Sequence, residues 1–308
     1  MNDHTQWYGP IGNRIKKRYK HLAKWARRQG IDYFRVYDRD NGGPFMIDSL
    51  PDHWLIWVCD NNLTDAQLAN AIEWVSADLT ALKPAKIVLK DRRKDSVKPI
   101  GKSQDAWVKI QENNCRFLLN LTRYLDVGLF IDHRNTRQWL GQQCAGKRVL
   151  NLYAYTGSFG CYALKHGASF VASVDINPVY NDWNEKNIEL NGFSMDACYM
   201  ARMDAFEFLS RHKRRYDVII CDPPSFSQSK RKGARLFSVK KDAVELIHSC
   251  WRLLNPGGQL LFSTNATSFT LPLERMPSDA FIQPMTQQLC PKDFEGKWRS
   301  QCWVLRRT

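Results

Sequence analysis

The chain has 308 residues, 44% of them hydrophobic, enough apolar material for two modest domains. Lys and Arg number 45 against 31 Asp and Glu, a net charge of +14 that favours a polyanionic partner. Nine cysteines without a C-x-x-C spacing argue against a disulfide framework or a zinc site, and the absence of an apolar run of about 18 residues argues against a membrane span; a soluble, cytoplasmic, metal-free protein is the expectation.

Residues 13–29 predict a basic amphipathic helix, with Asn13 as a candidate cap, Gly30 as a stop, and Leu22, Trp25 and Ala26 on one face. Residues 1–35 hold nine basic side chains against Asp3 and Asp32, half of the net charge. Arg14, Lys16, Lys17 and Arg18 are therefore candidate phosphate contacts. Apolar runs at Tyr33–Tyr37, Phe45–Asp48 and Trp54–Cys59 read as strands. Thr64–Leu82 reads as a helix, and Ala85–Lys90 as a further strand. Trp107–Ile110 and Cys115–Asn120 flank Glu112-Asn113-Asn114 as a hairpin. The expected organisation is a basic helix over 1–30, a small α+β RNA-binding domain over 31–122, and a larger domain over 123–308.

From about residue 147 short apolar runs alternate with helical stretches. Arg148–Tyr153, Ala168–Asp175, Ala197–Met200, Tyr216–Asp222 and Gln259–Thr264 read as strands. Between them lie helices near Phe159–His166, Tyr180–Leu190, Ala205–Arg211 and Val239–Leu254. That rhythm predicts an α/β fold with a doubly wound, mostly parallel sheet, and Gln301–Arg306 as an antiparallel edge.

In such a sheet ligands bind at the carboxyl ends of the strands. Four candidate groups fall there. Asn151 to Gly160 follows the first strand, with Gly157 allowing close backbone approach to a ligand. It is not G-x-G-x-x-G, which disfavours a pyrophosphate cradle. Asp175 ends the second strand, 18 residues after Gly157 and close to the spacing expected of a carboxylate on ribose hydroxyls. Asp204, after the third strand, has two open readings, an adenine contact or a helix cap. Asp222-Pro223-Pro224-Ser225-Phe226 ends the fourth, where a carboxylate can orient a substrate edge, two prolines fix the loop, and Phe226 can stack on a flat ring. A second basic cluster follows at Lys230, Arg231, Lys232, Arg235, Lys240 and Lys241. Its first three members are further candidate RNA contacts.

The order of Asn151–Gly160, Asp175, Asp204 and Asp222–Phe226 resembles the class I S-adenosylmethionine-dependent methyltransferases. With Tyr124 to Arg134, which includes Asp132-His133-Arg134, and Ser227-Gln228-Ser229-Lys230-Arg231, the chain resembles over nearly its whole length the RlmK half of the fused bacterial RlmKL proteins. That resemblance implies S-adenosyl-L-methionine as cofactor and methylation of N7 of a guanine in 23S ribosomal RNA. It implies 23S RNA or an assembling ribosomal particle as partner, with a separate RlmL-like chain as a candidate second partner. It also implies a class I methyltransferase domain preceded by the small α+β domain. Carried onto this sequence, Tyr155, Thr156 and Gly157 hold the methionine part, with Asp132 and Arg134 near the same end and Arg134 pairing the cofactor carboxylate. Asp175 holds the ribose and Asp204 the adenine amino group. Asp222, Pro223, Pro224 and Phe226 face the methyl group and the base. His133 stays open between acid–base work and a structural role.

Pyrimidine C5 methylation needs a cysteine nucleophile, and the positions that carry one in related enzymes hold Ser225 and Ser263-Thr264-Asn265 here. Guanine N7 already has a lone pair and needs no base, only alignment and tolerance of a developing positive charge. N2-guanine or C5-cytosine methylation, a small-molecule methyltransferase and a non-catalytic RNA-binding protein remain the alternatives.

Overall fold

A computed structural model describes the backbone of residues 5–40, 43–59, 63–93, 106–227, 236–298 and 300–308 and, apart from residues 5–8 and 227, their side chains. The chain divides into two compact units, Met1–Ile131 and Asp132–Thr308.

The first unit opens with α1, Thr5–Gln29, which packs on β1 (Phe34–Asp38) and α2 (Asp65–Leu82). α1 begins eight residues before the expected Asn13 cap and contains Pro10. That proline lies past the first turn and cannot donate to the carbonyl of Gln6, so the helix runs through it with one backbone bond missing. β1, β2 (Phe45–Ser49), β3 (His53–Val58) and β4 (Lys86–Asp91) form a sheet in that order, antiparallel except for the parallel β3–β4 pair. The β3–α2–β4 crossover that such a parallel pair requires starts at a capping box, in which Thr64 and Gln67 satisfy each other's backbone N–H groups. Ile15, Leu22, Ile47, Trp54, Ile56, Val75 and Leu79 fill the core between helices and sheet. β5 (Trp107–Glu112) and β6 (Cys115–Asn120) make the expected hairpin, closed by Asn113 and Asn114 at φ 47° and 67°. Positive φ at both turn residues suits a two-residue hairpin loop, and Asn tolerates it.

The second unit is built on seven strands in the order β14-β15-β13-β10-β7-β8-β9. These are β7 (Arg148–Leu152), β8 (Phe170–Val174), β9 (Cys198–Ala201), β10 (Tyr216–Cys221), β13 (Leu254–Thr264), β14 (Ala280–Pro284) and β15 (Gln301–Arg307). β7 to β10 and β13 run parallel, and β15 and β14 add antiparallel. The sheet's edge is therefore β14, not the terminal strand as expected. Ala280–Pro284 is short and ends in a proline, which an edge position accepts. Strand alternation sends Leu150, Leu152, Ile219, Cys221, Leu260 and Phe262 to the side packed by α6 (Ala205–Arg211) and α7 (Val239–Arg252). Val149, Val171, Val218, Ile220 and Leu261 go to the other side, under α3 (Arg134–Gly141) and α4 (Ser158–Lys165). Two covered faces are what near-continuous apolar strands require. The order reverses at β7, with β8 on one side and β10 on the other, so the crevice for a ligand opens at the carboxyl ends of β7, β8 and β10.

Candidate active site

The loop after β7 carries the most strained backbone near the switch point. Tyr153, Tyr155 and Gly157 lie at φ 55°, 50° and 77°, alternating through Ala154 and Thr156. Two tyrosines in the left-handed region cost of order 1–3 kcal/mol each. Surrounding bonds hold them there. Ala154 N–H donates to Val174 O at 3.0 Å, and Tyr155 N–H donates to Asp175 Oδ2 at 2.8 Å. Asn177 N–H donates to the other oxygen, Oδ1, at 2.9 Å. Asp175 thus clamps the β7 loop to the end of β8, and each carboxylate oxygen keeps a second lone pair for a ligand. Burial pushes its carboxyl above the usual range, and the two backbone N–H groups of Asn177 and Tyr155 oppose that rise.

Behind this loop stands α5 (Pro178–Leu190), capped by Asn177. It presents three buried asparagines at a spacing of three. Asn181 Nδ2 donates to Asp175 O at 3.0 Å and to Asn177 O at 2.8 Å. Asn187 Nδ2 donates to Thr156 O at 2.9 Å. Asn184 lies against Gly157 so closely that a Cβ there would sit 1.6 Å from its Oδ1. This asparagine row is a part of the site that reading the strand ends missed. Its signal was available as Asn at i, i+3 and i+6 in a helix, where Asn is otherwise disfavoured.

The end of β10 supplies the second half. Asp222 is partly exposed, and its Oδ1 accepts a hydrogen bond from Ser263 Oγ, on β13, at 2.5 Å. His133 Nε2 lies 3.7 Å from Asp222 Oδ2. The His133 ring is buried between Phe159 and Trp298, centroids 5.9 and 6.2 Å away. Pro223 is buried and Pro224 exposed, and Ser225 donates from its hydroxyl to Asn265 Oδ1. The ends of β8 and β10, on either side of β7, stand two strand spacings apart, roughly 10 Å. Phe226 opens β11 (Phe226–Ser227), which pairs with β12 (Phe237–Ser238) as a two-stranded ribbon. In that register Phe237 turns to the core, while Phe226 and Leu236 stay 56% and 65% exposed.

Other expected residues fall elsewhere. Arg134 does not offer itself to a cofactor carboxylate. It is 1% exposed and its Nη1 pairs with the equally buried Asp293 Oδ1 at 2.7 Å. Sequence could not foresee a partner 159 residues away. Asp132 Oδ2 accepts from Ser300 Oγ at 2.9 Å. Asp204 caps α6, its Oδ1 taking the N–H groups of Phe206 and Glu207 at 2.8 and 3.1 Å, while its Oδ2 is left for a ligand. Asn151 is buried on β7, directly opposite Ser173 of β8. In the first unit, Arg14 pairs with Asp40, Lys16 Nζ pairs with Asp78 at 2.7 Å, and Arg18 Nε donates to Val36 O at 2.9 Å. Among the described residues, Lys17 alone of those four has no such bond. Lys230, Arg231, Lys232 and Arg235, between β11 and β12, lie outside the described residues.

These features fit a nucleoside cofactor with an extended tail. Asn151 Nδ2, Ser173 Oγ and Asn184 Oδ1 are buried polar atoms without a partner in the protein, clustered on β7, β8 and α5 around the loop. At Gly157 the backbone takes a conformation and a closeness that a side chain would block. Among the described residues, no group of three or more His, Cys, Asp or Glu is placed to hold a metal, and no helix is long and apolar enough to cross a membrane.

Residues 62–278 match the family described as S-adenosylmethionine-dependent methyltransferase. The chain belongs to that family. Within it, the protein is 39% identical to ribosomal RNA large subunit methyltransferase K of Neisseria meningitidis, over 96% of this chain and 87% of that protein. It is 34% identical to the K/L methyltransferase of Shewanella sediminis, where the match covers 93% of this chain and 42% of the longer protein. This methyltransferase therefore spans about two-fifths of its K/L relatives. A candidate methyltransferase solved in complex with SAH matches over 96% of this chain, with 25% identity and a TM-score of 0.79. A candidate enzyme of the same class from Streptococcus mutans, 24% identical over 97% of this chain and 81% of its own, reaches 0.80 and supports the fold. The cofactor of this methyltransferase is S-adenosyl-L-methionine, and the RlmK resemblance stands.

Proposed function

We propose that this methyltransferase modifies N7 of a guanine in 23S ribosomal RNA. Large-subunit RNA is the substrate named for its relatives of the K and K/L type. When bound, the cofactor supplies an electrophilic methyl group on a sulfonium. The loop Tyr155–Gly157 holds the methionine part, Asp175 the ribose, and Asp204, through its Oδ2, the adenine amino group. Ile176, 45% exposed beside Asp175, offers the adenine an apolar face.

The Asp222 edge carries the chemical reading. In N7 methylation the guanine lone pair forms the new N–C bond, the S–C bond breaks, S-adenosylhomocysteine leaves, and the base gains a positive charge without losing a proton. Asp222, fixed by Ser263, places a carboxylate where that charge develops. No thiol among the described residues fits C5 chemistry. Cys221, next in chain, is fully buried in the core, and burial with Cys250 alongside pushes its thiol well above the usual range. Cys302 is likewise buried and raised. Phe226, outside the core on the ribbon, is free to stack on the extruded base, since a base held in the stack is out of reach.

The test is methylation of 23S RNA from cells lacking the gene, followed by borohydride reduction and aniline scission, which cuts at 7-methylguanosine and not at N2-methylguanosine. Wild-type protein should create one scission site. Asp222→Asn should lose on the order of 100-fold or more in turnover while keeping RNA affinity. Methyl incorporation without scission would overturn the N7 assignment.

A further inference from the structure

The unpaired face of α1 has the chemistry of an RNA-docking surface. The helix holds eight Lys and Arg and no carboxylate. Its apolar face, through Ile11, Ile15, Leu22 and Ala26, is buried in the first unit's core. Arg14, Lys16 and Arg18 are bonded to Asp40, Asp78 and Val36 O. Lys17, Lys20, Lys24 and Arg28 are all exposed, and none forms an ion pair among the described residues. At about 100° per residue these four fall within an arc of about 80°, in a row about 16 Å long.

Like charges three and four residues apart repel along a helix, and α1 itself carries no acidic residue to relieve them. A local cost without an internal gain points to an external partner. A lipid surface does not fit, because binding there needs the apolar face, which is already in the core. A helix-in-groove protein partner fails for the same reason. A backbone of regularly spaced phosphates needs only the cations.

We propose that Lys17, Lys20, Lys24 and Arg28 form a docking row for the phosphate backbone of the structured RNA substrate. The proposal rests on the reading of ribosomal RNA as that substrate. It moves the contact away from the Lys16–Arg18 pair, which the fold has already used.

The experiment compares full-length wild-type protein, the quadruple variant Lys17→Gln, Lys20→Gln, Lys24→Gln and Arg28→Gln, and the control Lys16→Gln with Arg18→Gln. Affinity for 23S RNA is measured from about 50 to 200 mM salt. Four phosphate contacts contribute about 0.7–0.9 each to the log–log slope, so the quadruple variant should show a slope shallower by about 3. Over that fourfold rise in salt it should then lose about 60-fold less affinity than wild type. Its KM for RNA should rise with kcat kept and the melting temperature unchanged. The control should keep the wild-type slope and melt earlier. An unchanged slope in the quadruple variant, with wild-type RNA methylation intact, overturns the docking row alone. Absence of RNA methylation by the wild type overturns the substrate reading beneath it. Co-sedimentation with phosphatidylserine vesicles should be negligible, and vesicle binding that the quadruple variant loses while RNA binding persists would also overturn the row.

Discussion

Replacing Gly157 with Ala perturbs the loop after β7 at its tightest point, and the structure sets the size of the effect. Two costs separate. Gly157 sits at φ 77°, where an L side chain costs about 1–2 kcal/mol. The added Cβ would also meet Asn184 Oδ1 at 1.6 Å, Cγ at 2.1 Å and Nδ2 at 2.8 Å. Asn184 is buried, with its Nδ2 bonded to Met200 Sδ at 3.2 Å, so it has to swing away and leave a buried amide unsatisfied, at about 1–3 kcal/mol. The single substitution should therefore cost about 3 kcal/mol, or about 10 °C in melting temperature for a unit of this size. Binding of S-adenosylhomocysteine, read by calorimetry, should weaken at least about tenfold, the equivalent of 1.4 kcal/mol. Asn184→Ala removes all three overlapping atoms. In a double-mutant cycle Gly157→Ala with Asn184→Ala should recover the steric part and leave the φ cost, giving a coupling of about 1–3 kcal/mol. Strictly additive melting shifts, or a Gly157→Ala protein that melts and binds like wild type, would refute the account of this loop.

Asp293→Ala should take a buried carboxylate from the Arg134 guanidinium and cost about 3–5 kcal/mol in denaturant unfolding, whereas a cofactor-binding role for Arg134 predicts a loss of affinity with little loss of stability. Lys83, whose ammonium lies 4.7 Å over the Trp54 ring and donates to Ser49 Oγ and Leu50 O, has its pKa brought down to about 8 by burial, with Asp52 opposing. The unfolded chain then binds the extra proton between pH about 8 and about 10.4, so this group adds stability as pH rises through that window. Lys83→Met should flatten that part of the profile, and a wild-type slope in the variant would remove Lys83 as its source.

The fold was legible because its strands are buried on two faces and read as short apolar runs between helical stretches. The edge was not. Ala280–Pro284 is five residues long, half-exposed and ends in proline, so nothing local marks it as a strand until Val304 and Leu305 lie opposite. The β11–β12 ribbon escaped for a related reason, each arm being two residues long and defined only by its pairing. On α1 the charges were legible, but their direction was not. Whether Lys16 or Lys17 meets solvent depends on Asp78, which α2 brings alongside, and no helical periodicity contains that carboxylate.

The same distinction runs through the site. Asp175, Gly157 and Asp222 stand out in the sequence because doubly wound sheets put ligands at strand ends, so position alone makes them candidates. What holds these residues in place comes from other segments of the chain. Asn187 reaches Thr156 across 31 residues, Ser263 reaches Asp222 across 41, and Asp293 takes Arg134 across 159. His133 shows the consequence most directly. In sequence it sits between Asp132 and Arg134 with equal claims on acid–base and structural roles. In the fold its neighbours bond to Ser300 and Asp293, and it alone of the three faces Asp222. Its ring nitrogen comes within 3.7 Å of a carboxylate 89 residues further along the chain, a pairing that the order Asp132-His133-Arg134 does not contain.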